Sequence, residues 1–127
     1  MSAKFYDLHG VCVFECSAEG PVLRNDQDAM AVIGEAMAHA AKLIVIPAGR
    51  LDPDFFELRT RLAGEMLQKF VNYRLRVAIM GDFSELASNS AALRAFIYES
   101  NRGDTVWFVA DICEMEKRLV PQEGSLT

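Results

Sequence analysis

Three short apolar runs, at 43–46, 76–80 and 105–109, punctuate the chain at roughly even intervals. Runs of four or five residues rich in Val and Ile, with no polar alternation, are the pattern of strands covered on both faces. Between them the spacing changes from strand-like to helical. Ala29, Val32, Ile33, Ala36, Met37 and Ala40 repeat at three and four residues, as do Phe55, Leu58, Leu62, Met66 and Phe70. The first repeat begins after Asn25 or Asp26, either of which can cap a helix. The second begins at Asp52-Pro53, a cap followed by a residue preset for the first helical position, and runs to about Tyr73. Gly64 interrupts this second stripe and costs about 1 kcal/mol relative to Ala. It implies close packing against a neighbour, or a break between a short turn and a longer helix.

Ahead of these elements, 4–9 and 11–17 alternate as two strands around Gly10. Phe5 and Asp7 face away from Tyr6 and Leu8, and Val11, Val13 and Glu15 share a face. After Gly81-Asp82, a stretch with Ser84, Ser88 and Asn89 reads as a loop. Asn89 or Ser90 then caps a helix to about Asn101, with Leu93, Phe96 and Ile97 inward and Gly103 placed for a left-handed C-terminal cap. Asp111 caps a last helix that buries Ile112, Met115 and Leu119. The order is thus β-β-α-β-α-β-α-β-α. It predicts an α/β fold with a mixed sheet of about five strands, mostly parallel with an antiparallel N-terminal edge pair, and about four helices. Residues 1–120 form one domain on this reading, and the tail from Pro121 is expected to fray.

Composition narrows the function classes. With 51% hydrophobic and 24% charged residues among 127, the chain is of globular type. A formal net charge of −5, without a basic run, argues against nucleic-acid binding. No apolar stretch approaches the length of a membrane span or of a signal-peptide core, so the cytoplasm is the expected location. Cys12, Cys16 and Cys113 sit in apolar contexts and read as three buried structural thiols. His9 and His39 are poor complements to them for a metal site. Neither histidine has an evident nucleophile or orienting carboxylate, and no Ser lies in a nucleophile elbow. No catalytic set and no cofactor follow from these residues.

Three constellations remain. Open parallel sheets hold ligands beyond the carboxyl ends of their strands. There Asp52, Asp54, Asp82 and Asp111 could gather, and Asp54 and Asp82, with Thr60, could surround a divalent ion in an enzyme acting on small molecules or nucleotides. The plainer reading is that Asp52 and Asp111 cap helices and Asp82 sits in a turn. The second constellation is the polar stripe of the long helix: Arg61, Glu65, Gln68 and Asn72, with Thr60, Gly64 and Lys69 beside it. It reads either as solvated surface or as a partner-binding face where small Gly64 admits another backbone. The third, at the opposite pole, comprises Lys69, Asn72, Tyr73 and Arg74 near Glu99, Asn101 and Arg102. It reads as capping and dipole compensation, or as a hydrogen-bonded network that fixes the two helices, or as an anion site built on Arg74 and Arg102.

The segment from Asp54-Phe55-Phe56-Glu57-Leu58-Arg59-Thr60 through Leu62-Ala63-Gly64-Glu65-Met66 to Asn72-Tyr73-Arg74, together with Gly81-Asp82-Phe83 and Phe96-Ile97-Tyr98-Glu99-Ser100-Asn101-Arg102-Gly103, resembles a bacterial family catalogued as domain of unknown function 4180. The resemblance implies size and cytoplasmic character but no activity. More distantly, the element order looks like the STAS domains of anti-sigma-factor antagonists, which present a phosphorylatable Ser on a loop entering a helix. The matching stretch here, Arg50-Leu51-Asp52-Pro53-Asp54-Phe55-Phe56, has no Ser or Thr, so the switch is not carried over. The expectation is a non-enzymatic regulatory or interaction module. Its partner is a protein or a second copy in a homodimer, and neither nucleic acid nor membrane is involved. Binding would fall on the Arg50–Asp54 loop and the exposed helix stripe.

Overall fold

The computed structural model describes residues 3–120, and the fraying expected from Pro121 onward lies outside the described residues. Strands β1 (Lys4–Leu8) and β2 (Val11–Glu15) form an antiparallel hairpin with Leu8 opposite Val11. Its two-residue turn is His9-Gly10, both at positive φ (53° and 82°), the mirror-image geometry that matches strand twist. The sequence places His9 in the strand, but its left-handed backbone puts it in the turn. Helix α1 (Asp26–Ala38) leads to β3 (Leu43–Pro47), α2 (Leu62–Asn72) to β4 (Arg76–Met80), and α3 (Ser84–Asn89) with α4 (Ala91–Arg102) to β5 (Val106–Val109). Helix α5 (Ile112–Leu119) closes the described chain. The sheet is ordered β1-β2-β3-β4-β5, with every pair after the first parallel.

Sequential order has a structural consequence. Right-handed crossovers between strands added in one direction all fall on the same face of the sheet. One face accordingly carries the larger core: Phe14, Ile44, Ile46, Val77, Ile79 and Phe108, met by Ala29 and Ile33 of α1 and by Met66 and Phe70 of α2. Phe96 and Ile97 of α4 pack against its margin. The other face, with Val13, Leu43, Val45, Ala78, Trp107 and Val109, is met by Met115, Ile112 and Leu119 of α5. The doubly buried strands read from the sequence therefore depend on α5 for their second cover. His9 Nε2 lies 2.9 Å from Glu116 Oε2 and ties the hairpin turn to that helix. Along β1 and β2, the Tyr6 hydroxyl donates to Glu15 at 2.8 Å. Burial first, then that hydrogen bond, pushes the phenol well above its usual range.

Local chemistry explains the helix starts. Asn25 accepts the Asp28 N–H, Ser90 the Leu93 N–H and Asp111 the Glu114 N–H, each at 2.9–3.1 Å. Several expectations need correction. The stretch read as one helix from Asp52 to Tyr73 is two 3₁₀ turns, Pro53–Phe56 and Leu58–Thr60, and then α2. The break falls at Arg61, whose φ of 67° is left-handed, and not at Gly64. A Cβ on Gly64 would meet nothing within 4 Å, so the close intramolecular packing expected there is absent. The loop expected around Ser84 is helix α3, which brings the described residues to five α-helices. Met37 is 53% exposed, and Ala40 lies past the end of α1 with φ 59°, so neither belongs to the buried stripe. Gly103 ends α4 in extended backbone, not in the left-handed region. Among the described residues, no helix is long and apolar enough to cross a membrane.

The three thiols also differ from expectation. Cys16 is buried, Cys12 half-buried and Cys113 exposed. Burial pushes the Cys16 thiol up to about 11, against an opposing pull from Arg50 and a further push from Glu15. A thiol whose pKa is higher in the folded chain keeps its proton better there. Its contribution is complete below about pH 9 and is lost as pH rises toward about 11. Since the thiolate is the nucleophile, iodoacetamide at pH 8 is expected to label Cys113 in the native protein and Cys16 only after denaturation. Mass mapping of the labelled peptides checks this, and rapid native labelling of Cys16 would contradict its burial.

Candidate functional site: the outer face of α2

Helix α2 has two chemically distinct sides. Ala63, Met66, Leu67 and Phe70 are buried, while Gly64, Glu65, Gln68 and Asn72 are exposed. Its entry is built by Thr60, whose hydroxyl lies 2.7 Å from the Asp54 carbonyl and 2.8 Å from the Glu57 carbonyl, donating to one at a time. The same oxygen accepts the Leu62 N–H at 3.2 Å. Thr60 thus knots both 3₁₀ turns to the first turn of α2. Phe55 is buried beneath the knot, and Phe56 is half-buried with its ring edge-on to Phe55 at 5.1 Å.

Two clefts flank the outer face and share Gly64 and Glu65. One, of about 430 Å³, lies toward α1 and is lined by Asp26, Gln68, Lys69 and Asn72. The other, of about 480 Å³, lies toward α4 and is lined by Leu58, Arg61 and Phe96. Within the first, Gln68 Nε2 donates to Asn72 Oδ1 at 2.9 Å, and Lys69 Nζ lies 3.8 Å from Asp26. The stripe residues Arg61, Gly64, Glu65, Gln68 and Asn72 therefore do share one surface, with Lys69 at its margin. No ion pair joins Arg61 to Glu65 among the described residues, because Arg61 stands in the left-handed link outside the helix.

The carboxylates at the carboxyl ends of the strands are held separately. Asp52 accepts the Asp54 N–H at 2.9 Å, and Asp111 caps α5. Asp82 accepts the Ser84 hydroxyl and N–H, which together hold its carboxyl below the usual range. Asp54 is exposed. Among the described residues, no three His, Cys, Asp or Glu side chains are grouped closely enough to hold a metal ion.

The third constellation divides between different neighbours. Lys69 and Asn72 belong to the α1–α2 cleft. Tyr73 and Arg74 form the turn after α2, with Arg74 at φ 60°. Glu99 and Arg102 pair at 3.4 Å, and Arg102 lies over the Tyr98 ring. Arg102 and Asn101 line a cleft with Arg76 and Arg118, two residues to which no sequence spacing points. A further cleft of about 370 Å³ opens beside Cys16, between the end of β2 and α1. There Arg50 turns inward, with Nε donating to the Pro21 carbonyl at 2.7 Å and Nη1 to the Ser17 carbonyl at 2.6 Å. A basic residue in a surface loop gives no sequence sign of that inward turn.

These features define a five-stranded mixed α/β domain whose most distinctive open surface is an uncovered polar helix face. The chain belongs to the family described as "Domain of unknown function (DUF4180)", whose model matches residues 8–119. No curated protein and no solved structure matches it.

Proposed function

We propose that this protein is a non-enzymatic, cytoplasmic interaction module that receives a protein segment across the outer face of α2 at Gly64. The observation that carries this reading is the open space beside Gly64. Glycine inside an exposed helix costs about 1 kcal/mol relative to alanine, and here no intramolecular contact compensates it. The absence of a Cβ lets a second backbone come close at that point, between two clefts that could receive its side chains. Glu65 and Lys69, with Gln68 between them, offer both signs of charge and a hydrogen-bonding amide to such a segment. The distant similarity of the element order to STAS domains, which act through partner proteins, supports the same class of function. A second copy of the chain satisfies the same chemistry.

Three variants test the reading. Gly64→Ala is expected to raise the unfolding free energy by about 0.5–1 kcal/mol, since the added methyl meets no atom. Gly64→Gln is expected to leave stability within about 0.5 kcal/mol or improve it, and Glu65→Arg, which reverses a charge in the first turn of α2, to cost about 1 kcal/mol, while both abolish capture of the partner from cell extract or the self-association seen by sedimentation. If both bulky and charge-reversed variants retain every partner and the oligomeric state of the parent, this face is not the docking surface.

A further inference from the structure

At the amino ends of β4 and β5, on the sheet face that α5 covers, a cleft of about 500 Å³ is lined by Arg76, Arg102 and Arg118 around Trp107. Both Arg76 and Arg118 lie 5.6 Å from the centroid of the Trp107 ring, which bounds their separation. Trp107 is fixed in turn, its Nε1 donating to the Gly103 carbonyl at 2.9 Å. Among the described residues, Asp104 is the one carboxylate that lines the cleft. Arg102 has Glu99 at 3.4 Å, and Arg118 donates to the Asn101 carbonyl at 2.9 Å. Among the described residues, the Arg76 guanidinium makes neither a hydrogen bond nor an ion pair, and its contact is with the neutral indole ring of Trp107.

Three guanidinium groups gathered in one half-open cleft repel one another, and among the described residues Glu99 beside Arg102 and Asp104 on the lining are the two carboxylates set against them. Stacking on an indole holds a guanidinium in place without using its N–H donors. Each fork carries five donors, so most of those present remain free to turn toward the cleft. That combination suits an oxyanion bearing several charges, because planar guanidinium forks pair two-for-two with phosphoryl oxygens. It sits in a chain of formal charge −5, so the local positive field is a property of this cleft and not of the surface as a whole. We infer that the Arg76–Arg102–Arg118 cleft binds a small phosphorylated anion. Nothing in this inference rests on the docking face of α2, and each can fail alone.

Trp107 is the only tryptophan of the chain, so its emission reports this cleft directly. The full chain is titrated at low ionic strength with pyrophosphate, orthophosphate, ADP and acetate. A saturable change in emission with pyrophosphate is expected, weaker with orthophosphate, absent with acetate and weakened by added salt. Arg76→Gln is expected to weaken pyrophosphate binding about tenfold or more, with Arg76→Lys intermediate because it keeps charge without the fork. Arg59→Gln, at an 86% exposed side chain elsewhere, is the unaffected control. If Arg76→Gln fails to fold by circular dichroism, Arg102→Gln decides, since its side chain is 64% exposed. ADP binding tighter than pyrophosphate assigns an organic phosphate, and equal affinity assigns the phosphoryl group alone. No saturable change with any phosphate, acetate binding as tightly as pyrophosphate, or undiminished affinity in the variant that folds would overturn the assignment.

Discussion

Replacing Phe70 with alanine is expected to lower the unfolding free energy by about 3–5 kcal/mol, a large fraction of what a domain of this size holds. Phe70 is 1% exposed and fills the space between α2 and the larger core. Its removal takes away an aromatic side chain and leaves a cavity that the surrounding strands cannot close, because β3 and β4 are pinned on both sides by sheet pairing. In a urea titration the midpoint should fall with the slope unchanged, since the same surface is exposed on unfolding. A loss below about 1 kcal/mol would mean that α2 does not rest on the sheet as described. The same helix then gives an internal contrast. Glu65→Arg, on the opposite side, should cost only about 1 kcal/mol by opposing the helix dipole and leave the chain folded, so an effect of Glu65 on partner capture cannot be explained by unfolding.

How far the sequence reveals this arrangement depends on how local each determinant is. The strands at 43–46, 76–80 and 105–109 are legible because burial on two faces requires unbroken apolar runs, and Asn25, Ser90 and Asp111 are legible because a capping side chain acts within three residues. The break at Arg61 is not. Phe55, Leu58, Leu62 and Met66 keep helical spacing across it, and the 3₁₀ turns that interrupt the helix preserve the same inward face. What separates them is the Thr60 hydroxyl competing for backbone groups, an effect invisible to hydrophobic periodicity. Helix α3 is hidden for a related reason. Its Ser- and Asn-rich segment has loop composition, and its start is held by the Asp82 carboxylate. The polar stripe of α2 is legible because it is one helix surface. The arginine cleft is not, because Arg76, Trp107 and Arg118 come from three elements brought together only by strand order and by α5 crossing the second face.

Asn101 shows how a residue picked out for binding can serve the fold, and it gives the second large expected effect. Its Oδ1 accepts the Phe108 N–H at 2.7 Å, and its Nδ2 donates to the Phe108 carbonyl at 3.1 Å. Strand β5 is the edge of the sheet, so Phe108 has no further strand to satisfy these groups. The carboxamide presents the same donor and acceptor that a neighbouring backbone would, and it blunts an edge otherwise open to pairing with another chain. Asn101→Leu leaves both groups unmet next to a side chain 3% exposed, and should cost about 2–3 kcal/mol. Asn101→Asp keeps the acceptor, loses the donor and should fall between. The backbone carbonyl of Asn101 still accepts from Arg118 in both variants, so the arginine cleft keeps its anchor. Amide exchange separates this role from general destabilisation. At denaturant-free equilibrium the Phe108 amide should exchange faster in Asn101→Leu by more than the amides of β3, which lie inside the sheet. Uniform acceleration across all strands would instead mean that Asn101 contributes only to global stability and does not close the edge.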